Sequence, residues 1–208
     1  MTNPADTPSI TIRPVRTDEL DTFFDLTLLV DLHLAADELP ALKVTFRAAL
    51  HLPSGPFSHG LHHFLVAEST DKVLVAAIHV GPAHWMLSPQ LPAFVQHTLV
   101  KRIGNIDTIA VHPDHRHQGI AARLLARVES DFRRAGYRAL ALRHEHDKKT
   151  FFTAHGFTTL PRLVVDLQPF GGLFKQQAPG WKHAVKPLDP SITFTSQRGL
   201  TAVSGLLG

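Results

Sequence analysis

The most informative stretch of the sequence reads Ile109-Ala-Val-His-Pro-Asp-His-Arg-His-Gln-Gly-Ile-Ala-Ala-Arg-Leu-Leu125. It begins as an apolar strand that Pro113 stops, and it ends in a helix that opens near Gly119. The first amide groups of a helix have no acceptor within the helix, and the helix dipole adds positive charge there. The loop is therefore predicted to bind a diphosphate, unless its glycine only turns the chain.

The residues around this stretch predict an α/β protein. Apolar residues recur every fourth position along the helix, at Ile120, Leu124, Val128 and Phe132, and Gly136 stands where a helix stops. Mixed strands come first, and strand–helix–strand–helix–strand follows, which indicates a sheet with helices on both sides. The predicted strands are Ser9–Val15, His63–Glu68, Lys72–Val80, Ile106–Val111, Tyr137–Arg143 and Leu163–Leu167, and the predicted helices include Pro92–Arg102, Gly119–Ala135 and Lys148–His155.

The amino-terminal half is predicted to contain a first helix and a hairpin turn. Thr17 is predicted to be the N-cap of a first helix, which Phe23, Phe24, Leu28, Leu32 and Leu39 continue at roughly helical spacing. The polar group Ser69-Thr-Asp-Lys72 is predicted to be the turn of a hairpin.

Composition excludes several classes of protein. The chain has 208 residues, no cysteine and a formal net charge of only +3, so disulfides, thiolate metal sites and a cysteine nucleophile are excluded, and nucleic acid is not an expected partner. No apolar run reaches the length of a bilayer span, and the amino terminus lacks the pattern of a signal peptide. The expected protein is soluble and cytoplasmic, with no membrane partner.

The central stretch resembles the GNAT superfamily of N-acetyltransferases. The family pattern is an apolar strand ending in Val-x-Pro, then Arg/Gln-x-x-Gly-x-Gly/Ala and an apolar helix. A second family element is matched by Phe152-Thr-Ala-His-Gly-Phe157, and the resemblance covers roughly residues 9–167. A dinucleotide-binding fold is the rival, but it requires Gly-x-Gly-x-x-Gly after the first strand, and the sequence lacks that pattern.

The resemblance implies a fold, a co-substrate and a set of binding residues. The fold would be a GNAT fold, a mixed sheet splayed open between its fourth and fifth strands, with helices on both faces and acetyl-CoA in the gap. The pantetheine arm would bind backbone groups of Ile109, Ala110 and Val111. The pyrophosphate would bind the loop, and Phe152 would lie at the cofactor; the loop residues are Arg116, His117, Gln118, Gly119, Ile120 and Ala121.

The resemblance leaves the catalytic groups open. Many members of the family carry a tyrosine acid where this chain has Phe152, and the only tyrosine, Tyr137, stands elsewhere. Asp107 and Glu145 are the carboxylates nearest the expected cleft, and they are the candidates for the general base. The alternatives are that Asp107 bonds local backbone and that Glu145 pairs with Arg143 or a lysine.

The histidines near these positions are expected to lie on the protein surface. His144 and His146 flank Glu145 and are expected to be exposed to solvent. His112, His115 and His117 look like a metal cluster, but no carboxylate or fourth ligand stands at a helical spacing that would fix the site. We therefore predict no metal.

The last two expectations concern the position of the acceptor pocket and the role of the carboxyl-terminal residues. The family's acceptor pocket corresponds to Asp31–Leu42, Pro53–His62 and Gly81–Arg102, where carboxylates and aromatic residues could receive a cationic amine of a small molecule or peptide. Trp85 and Met86 could equally cover an edge of the core. We assign residues 1–167 to the GNAT domain and residues 168–208 to an extension that packs on the domain or on a second subunit of a homodimer; a disordered tail is the alternative.

Two functions compete. The first is transfer of an acetyl group from acetyl-CoA to a primary amine. The second is an acyl-CoA sensor with the GNAT fold and little turnover, which Phe152 in place of tyrosine suggests. A different α/β nucleotide-binding protein is a remote third.

Overall fold

The computed structural model describes residues 9–30, 40–41, 43–44, 47–48, 59–176, 179–197 and 199–208. The chain divides into two compact units. The first comprises Met1–Ser54, His62–Val80 and Thr108–Val128, and the second comprises Gly55–Leu61, Gly81–Asp107 and Glu129–Gly208. The predicted α/β class with a mixed sheet is confirmed, since strands pair in both parallel and antiparallel directions.

The first unit contains three antiparallel strands and the end of a fourth. The strand order is β1 (Thr11–Pro14), β2 (His63–Glu68), β3 (Leu74–Gly81) and the carboxyl-terminal half of β4 (Ile103–Val111). The hairpin turn between β2 and β3 is confirmed. The Ser69 N–H donates to the carbonyl of Val73 at 2.9 Å, the Lys72 N–H donates to the carbonyl of Ser69 at 3.1 Å, and Lys72 has a φ of 65°.

Helix α1 (Leu20–Thr27) packs its apolar side against this sheet. The predicted N-cap is wrong: Thr17 begins a 3-10 turn, Thr17–Glu19, because the Glu19 carboxylate accepts the backbone N–H of Arg16 at 2.9 Å and closes that turn. The helix ends one residue before Leu28, and Leu32 and Leu39 lie outside the described residues. The buried cluster of this unit consists of Val15, Leu20, Phe23, Leu26, Phe64, Val66 and Ala77.

The second unit contains the rest of the larger sheet. Its strand order is the amino-terminal half of β4, β5 (Ala139–His144), β9 (Lys182–Pro187) and β6 (Thr158–Leu160). β4 and β5 pair in parallel from Ile103–Ala139 to Ile106–Leu142, and β9 runs antiparallel to both β5 and β6. Strand β9 is therefore a central strand of this sheet.

A smaller sheet completes the second unit. In the described residues it has the order β10 (Thr193–Gln197), β11 (Leu200–Ser204), β7 (Leu163–Asp166) and β8 (Leu173–Gln176). Helix α2 (Ala93–Val100), which the sequence predicts, contributes Val95, Leu99 and Val100 to the core of this unit. Residues from both sheets, including Ala141, Val165, Val185 and Val203, share that core.

The helix of the central stretch is confirmed as α3 (Ile120–Arg134), with the predicted apolar stripe 0–2% exposed. Gly136 follows with a φ of 80°, as a helix stop requires. The short helix α4 (Lys149–Ala154) is also confirmed, preceded by a 3-10 turn from His146 to Lys148. Within the described part of the chain, no helix is long and apolar enough to cross a membrane.

The residues after 167 are more regular than their sequence suggests. The sequence signals fade there into what looks like a tail, yet four strands, β8 to β11, form in the described part of this segment. A disordered tail is therefore wrong for those residues. The boundary at residue 167 stays a prediction, and so does the assignment of the segment as an extension on one or two subunits.

Candidate active site

The loop between β4 and α3 has the backbone that an anion site requires. The amide of His112 bonds the carbonyl of Val75 on β3 at 2.8 Å, which fixes where β4 ends, and Pro113–His115 then form a 3-10 turn. His117 and Gly119 both have positive φ, 62° and 73°, so the chain reverses sharply before α3 begins. These turns bring successive loop amides to the amino-terminal end of a fifteen-residue helix.

At the opening of α3, the first amide groups have no acceptor within the part of the chain that the structure describes. Among the described residues, the first amide of this helix with a recorded acceptor is that of Arg123, which bonds the carbonyl of Gly119 at 3.1 Å. The side-chain oxygen of Gln118 is buried without a hydrogen-bond partner among those residues. A Cβ added at Gly119 would meet no atom within 4 Å, so space lies open where an anion would approach the backbone. The loop therefore fits a diphosphate.

Arg116 ties the loop to the preceding strand. Its Nε donates to the carbonyl of Val111 at 3.1 Å, and the side chain is otherwise exposed. Ala110 is buried, whereas Ile109 and Val111 are half-buried. A pantetheine contact to the backbone of Ile109–Val111 stays a prediction. Thr108 on the same strand was not predicted; its buried hydroxyl has no partner among the described residues.

The second unit holds the candidate bases. Asp107 is exposed in the middle of β4, and it accepts a hydrogen bond from Nδ2 of Asn105 at 2.5 Å. Glu145 follows β5 in an extended conformation, with φ −68° and ψ 161°. No ion pair of its carboxylate is recorded among the described residues, and the Arg143 guanidinium instead lies over the Trp181 ring, 6.0 Å from its centroid. The alternative pairing of Glu145 with Arg143 or a lysine is therefore not found there.

His144 is buried, and the expectation that it is exposed is wrong. Only 2% of its surface is accessible, because the ring lies between the aromatic ring of Phe152, 5.3 Å away, and Thr159 on β6. Its Nδ1 lies 2.5 Å from the carbonyl of Glu145, and its Nε2 lies 3.2 Å from Oγ1 of Thr159. His146 is exposed, as expected.

Phe152 is a packing residue of α4. It is 6% exposed and lies against three other rings: His144, Phe151 and Phe157. Its predicted contact with the cofactor stays a prediction.

Tyr137 has a structural role elsewhere. Its hydroxyl accepts the amide of Leu61 at 2.5 Å and donates to the carbonyl of Val100 at 3.0 Å, and burial raises its pKa. Neither Phe152 nor this tyrosine presents an acid hydroxyl.

The described residues around His112, His115 and His117 do not form a set of metal ligands. The rings of His112 and His115 lie 6.0 Å apart edge to face, and Nδ1 of His112 lies 3.6 Å from Oδ2 of Asp114. Across the described residues, no group of three or more histidine or carboxylate side chains could hold a metal ion.

The expected acceptor pocket is only partly described. Asp31–Asp37, Glu38 and residues 53–58 lie outside the described residues. In the rest, Trp85 stacks on Phe174 at 5.6 Å and Met86 is fully buried, which matches the alternative that they cover the core.

His183 on β9 is a second polar residue that was not predicted from the sequence. It is 4% exposed, and its buried Nε2 has no hydrogen-bond partner among the described residues. Burial, followed by the nearby charge of Arg143, lowers its pKa to about 4. A buried histidine between two strands could have been found only by knowing that β9 pairs with β5.

These features define an α/β protein with a strand–loop–helix unit whose loop fits an anion. Residues 60–159 match the family model described as acetyltransferase (GNAT) domain. Over these residues the chain is similar to the GNAT superfamily, for which acyl transfer from acetyl-CoA is general. No curated protein matches the chain.

Solved structures share the fold at low sequence identity. A GNAT-family acetyltransferase from Staphylococcus aureus Mu50 is 13% identical, with a TM-score of 0.57, 87% of this chain and 100% of that chain covered. A Salmonella typhimurium protein solved with its cofactor acetyl-CoA is 17% identical, with a TM-score of 0.57 and coverage of 91% and 99%. Spermidine N-acetyltransferase from Vibrio cholerae, in complex with CoA and spermine, is 13% identical, with a TM-score of 0.56 and coverage of 86% and 95%.

Proposed function

We propose that the protein transfers the acetyl group of acetyl-CoA to a primary amine. The observation that supports this most is the loop before α3, where unpaired amides and the open space at Gly119 suit a diphosphate. The structural relative that contains acetyl-CoA, and the one that acetylates spermidine, have the same fold. We place the reaction in the cytoplasm, without a membrane or nucleic-acid partner.

The loop residues would hold the co-substrate. Amides of Gly119, Ile120 and Ala121 would donate to pyrophosphate oxygens, with His117, Gln118 and Arg116 beside them. With its side chain rotated, the NH2 group of Gln118 would donate to a pyrophosphate oxygen, and its oxygen, which has no partner among the described residues, would accept from water. Bound acetyl-CoA supplies an acyl group on a thioester, and the protein's task is to bind it and to deprotonate the acceptor.

Glu145 is the proposed base, and Asp107 is the second candidate. A protonated amine is not nucleophilic, so a carboxylate must remove one proton, directly or through water, before the nitrogen forms its new bond to carbon. Glu145 is free of an ion pair in the described residues, whereas Asp107 already accepts a bond from Asn105. The leaving thiolate needs no protein acid to depart, so a phenylalanine at position 152 is compatible with turnover.

A sensor that binds acyl-CoA with little turnover is the second candidate. It is favoured by the burial of Phe152 among three aromatic rings, where a tyrosine acid is absent. Both candidates require acetyl-CoA to bind, and only the first requires an amine to release thiol.

Two measurements test the proposal. Calorimetry should show binding of acetyl-CoA and CoA, and a ligand present at about 100 times its dissociation constant should add roughly 2.7 kcal/mol to the stability of the fold. Thiol release is then followed with a panel of primary amines. Binding without thiol release for any amine would leave the sensor, and no binding at millimolar acetyl-CoA would refute both functions.

A further inference from the structure

Four side chains at the carboxyl end of β5 belong to one face of the β5–β9 pair. Arg143 and His183 are direct partners across the two strands, so their side chains point to the same side. Glu145 and Trp181 each stand two residues along from one of them, and side chains two apart in an extended chain share a face. The Arg143 guanidinium over the Trp181 ring agrees with this arrangement.

On this face, Arg143 and Glu145 carry opposite charges that form no ion pair within the described residues. Arg143 is exposed, and no carboxylate partner of its guanidinium is recorded in the described residues. Glu145 is half-buried and likewise has no recorded partner in that part of the chain. Two residues apart along an extended chain, they are separated by about 6.6 Å along the backbone. Opposite charges that share a face and do not pair with each other suit a ligand that carries both signs.

His183 adds a buried polar group to the same face. Its Nε2 lacks a partner among the described residues although the residue is 4% exposed, and leaving such an atom unpaired costs free energy. The neutral imidazole, favoured by burial, can donate or accept one hydrogen bond. An arriving polar ligand would satisfy that atom.

We propose that Arg143, Glu145, Trp181 and His183 bind an acceptor that carries a carboxylate as well as the amine, namely an amino acid. The proposal rests on the N-acetyltransferase function proposed above. Arg143 binds the carboxylate with two parallel N–H donors, Glu145 receives the ammonium group that it deprotonates, and Trp181 covers the carbon skeleton. A polyamine offers no anion to Arg143, and its second cation would be repelled by the guanidinium.

The test removes the contact between Arg143 and the carboxylate in two ways: by omitting the carboxylate from the substrate and by replacing the arginine. Thiol release is measured with the standard amino acids, with the amines that lack their α-carboxylate, and with spermidine. We expect at least one amino acid to be a substrate, with kcat/KM about 10–100-fold above that of its decarboxylated amine. In Arg143→Gln, the ratio of kcat/KM for the amino acid to kcat/KM for its decarboxylated amine should fall to about 1.

A matched control is Lys182→Gln. Lys182 pairs with His144 rather than with Arg143, so it lies on the opposite face of β9 and its loss should leave the preference unchanged. Calorimetric binding of acetyl-CoA and the melting temperature are recorded for each variant. A second readout is calorimetric binding of the best amino acid to the protein with CoA, which Arg143→Gln should weaken by the same factor.

The outcomes separate this inference from the function on which it rests. If spermidine or decarboxylated amines release thiol and amino acids do not, acetyl transfer stands and the amino-acid site is wrong. If amino acids react but Arg143→Gln keeps the preference for the carboxylate, the site is also wrong. If acetyl-CoA binds and no amine reacts, and no amino acid binds, both proposals fail together.

Discussion

At the scale of single residues, Gly119 is the position where a substitution tests the acetyl-CoA site most directly. Gly119→Val should abolish binding of acetyl-CoA, because a branched side chain would fill the open space in front of the loop amides. The backbone there has a φ of 73°, so a side chain adds roughly 1–2 kcal/mol of strain. That strain is small beside the typical 5–15 kcal/mol of a folded protein, so the variant should remain folded.

Gly136→Val is its matched control. Gly136 also has a positive φ, 80°, and open space at its Cβ, but it lies at the other end of α3. Both variants should lose similar stability, and only Gly119→Val should lose binding in calorimetry. Equal affinity in the two variants would show that the loop is a simple connection.

Phe152 tests whether position 152 takes part in the chemistry. Phe152→Tyr should lower the unfolding free energy by roughly 1–3 kcal/mol, because the new hydroxyl enters a cluster of aromatic rings. Thiol release per folded molecule should stay unchanged. A general acid is typically worth about 10²–10⁴-fold, so a rise of that order would show that the hydroxyl reaches the departing sulfur and that the ring is not merely core.

Among single residues, features determined by sequence neighbours could be predicted, and features determined by distant elements could not. Gly119 and Gly136 could be predicted, because a helix start and a helix stop are local events that a few neighbouring residues determine. The burial of His144 could not, because Thr159 and Phe152 enclose it from elements that come later in the chain. The unpartnered Nε2 of His183 is non-local in the same way.

At the scale of elements, an ion network joins β1, β2 and the turn before α1. Arg13 donates from both terminal nitrogens to Glu19, at 2.7 Å each, and from Nε to Glu68 at 2.9 Å. Arg13 foremost, with the Arg16 backbone N–H, lowers the pKa of Glu19 to about 2. The same carboxylate sets the 3-10 turn that replaces the predicted N-cap, so one residue determines both the turn and the network.

Glu19→Gln should therefore destabilise the protein in a pH-dependent way. The folded-state pKa lies below the ordinary value of 4.5, so the stabilisation is present above about pH 4.5 and is lost as pH falls towards 2. Denaturant midpoints of the wild type and variant should differ at pH 7 and converge as the pH approaches 2. Asp18→Asn, whose side chain is 79% exposed, is the control and should change the midpoint little. A constant gap across this range would contradict the assignment.

Elements within the central stretch could be predicted because their signals are strong and local. The strand, the loop and α3 follow from one apolar run, one proline and a four-residue repeat. Strand β9 has no comparable signal, since Lys182, His183 and Lys186 interrupt its apolar residues. Its place between β5 and β6 depends on pairing with strands that lie far earlier in the chain.

At the scale of the whole molecule, the position of β9 makes the last forty residues part of the second unit's fold. In the sheet, β9 lies between β5 and β6, so β6 has no other strand partner among the described residues and β5 has only β4 besides β9. Val185 at the centre of β9 is 2% exposed, faces Ala141 and Thr158 as its strand partners, and belongs to the core shared with the smaller sheet. An extension that merely rested on a finished domain would leave such a residue dispensable.

Val185→Asp should therefore unfold the protein at a much lower temperature. An unpaired buried charge costs about 3–5 kcal/mol, which corresponds to a drop in melting temperature of roughly 10 °C for a chain of this size. Thr201→Asp, on an exposed position of β11, should cost less than about 0.5 kcal/mol. Calorimetry of both variants tests whether residues 168–208 are an integral part of the second unit or an extension that rests on a finished domain. If they melt together near the wild-type temperature, β9 is a detachable strand and the rest of the unit holds without it.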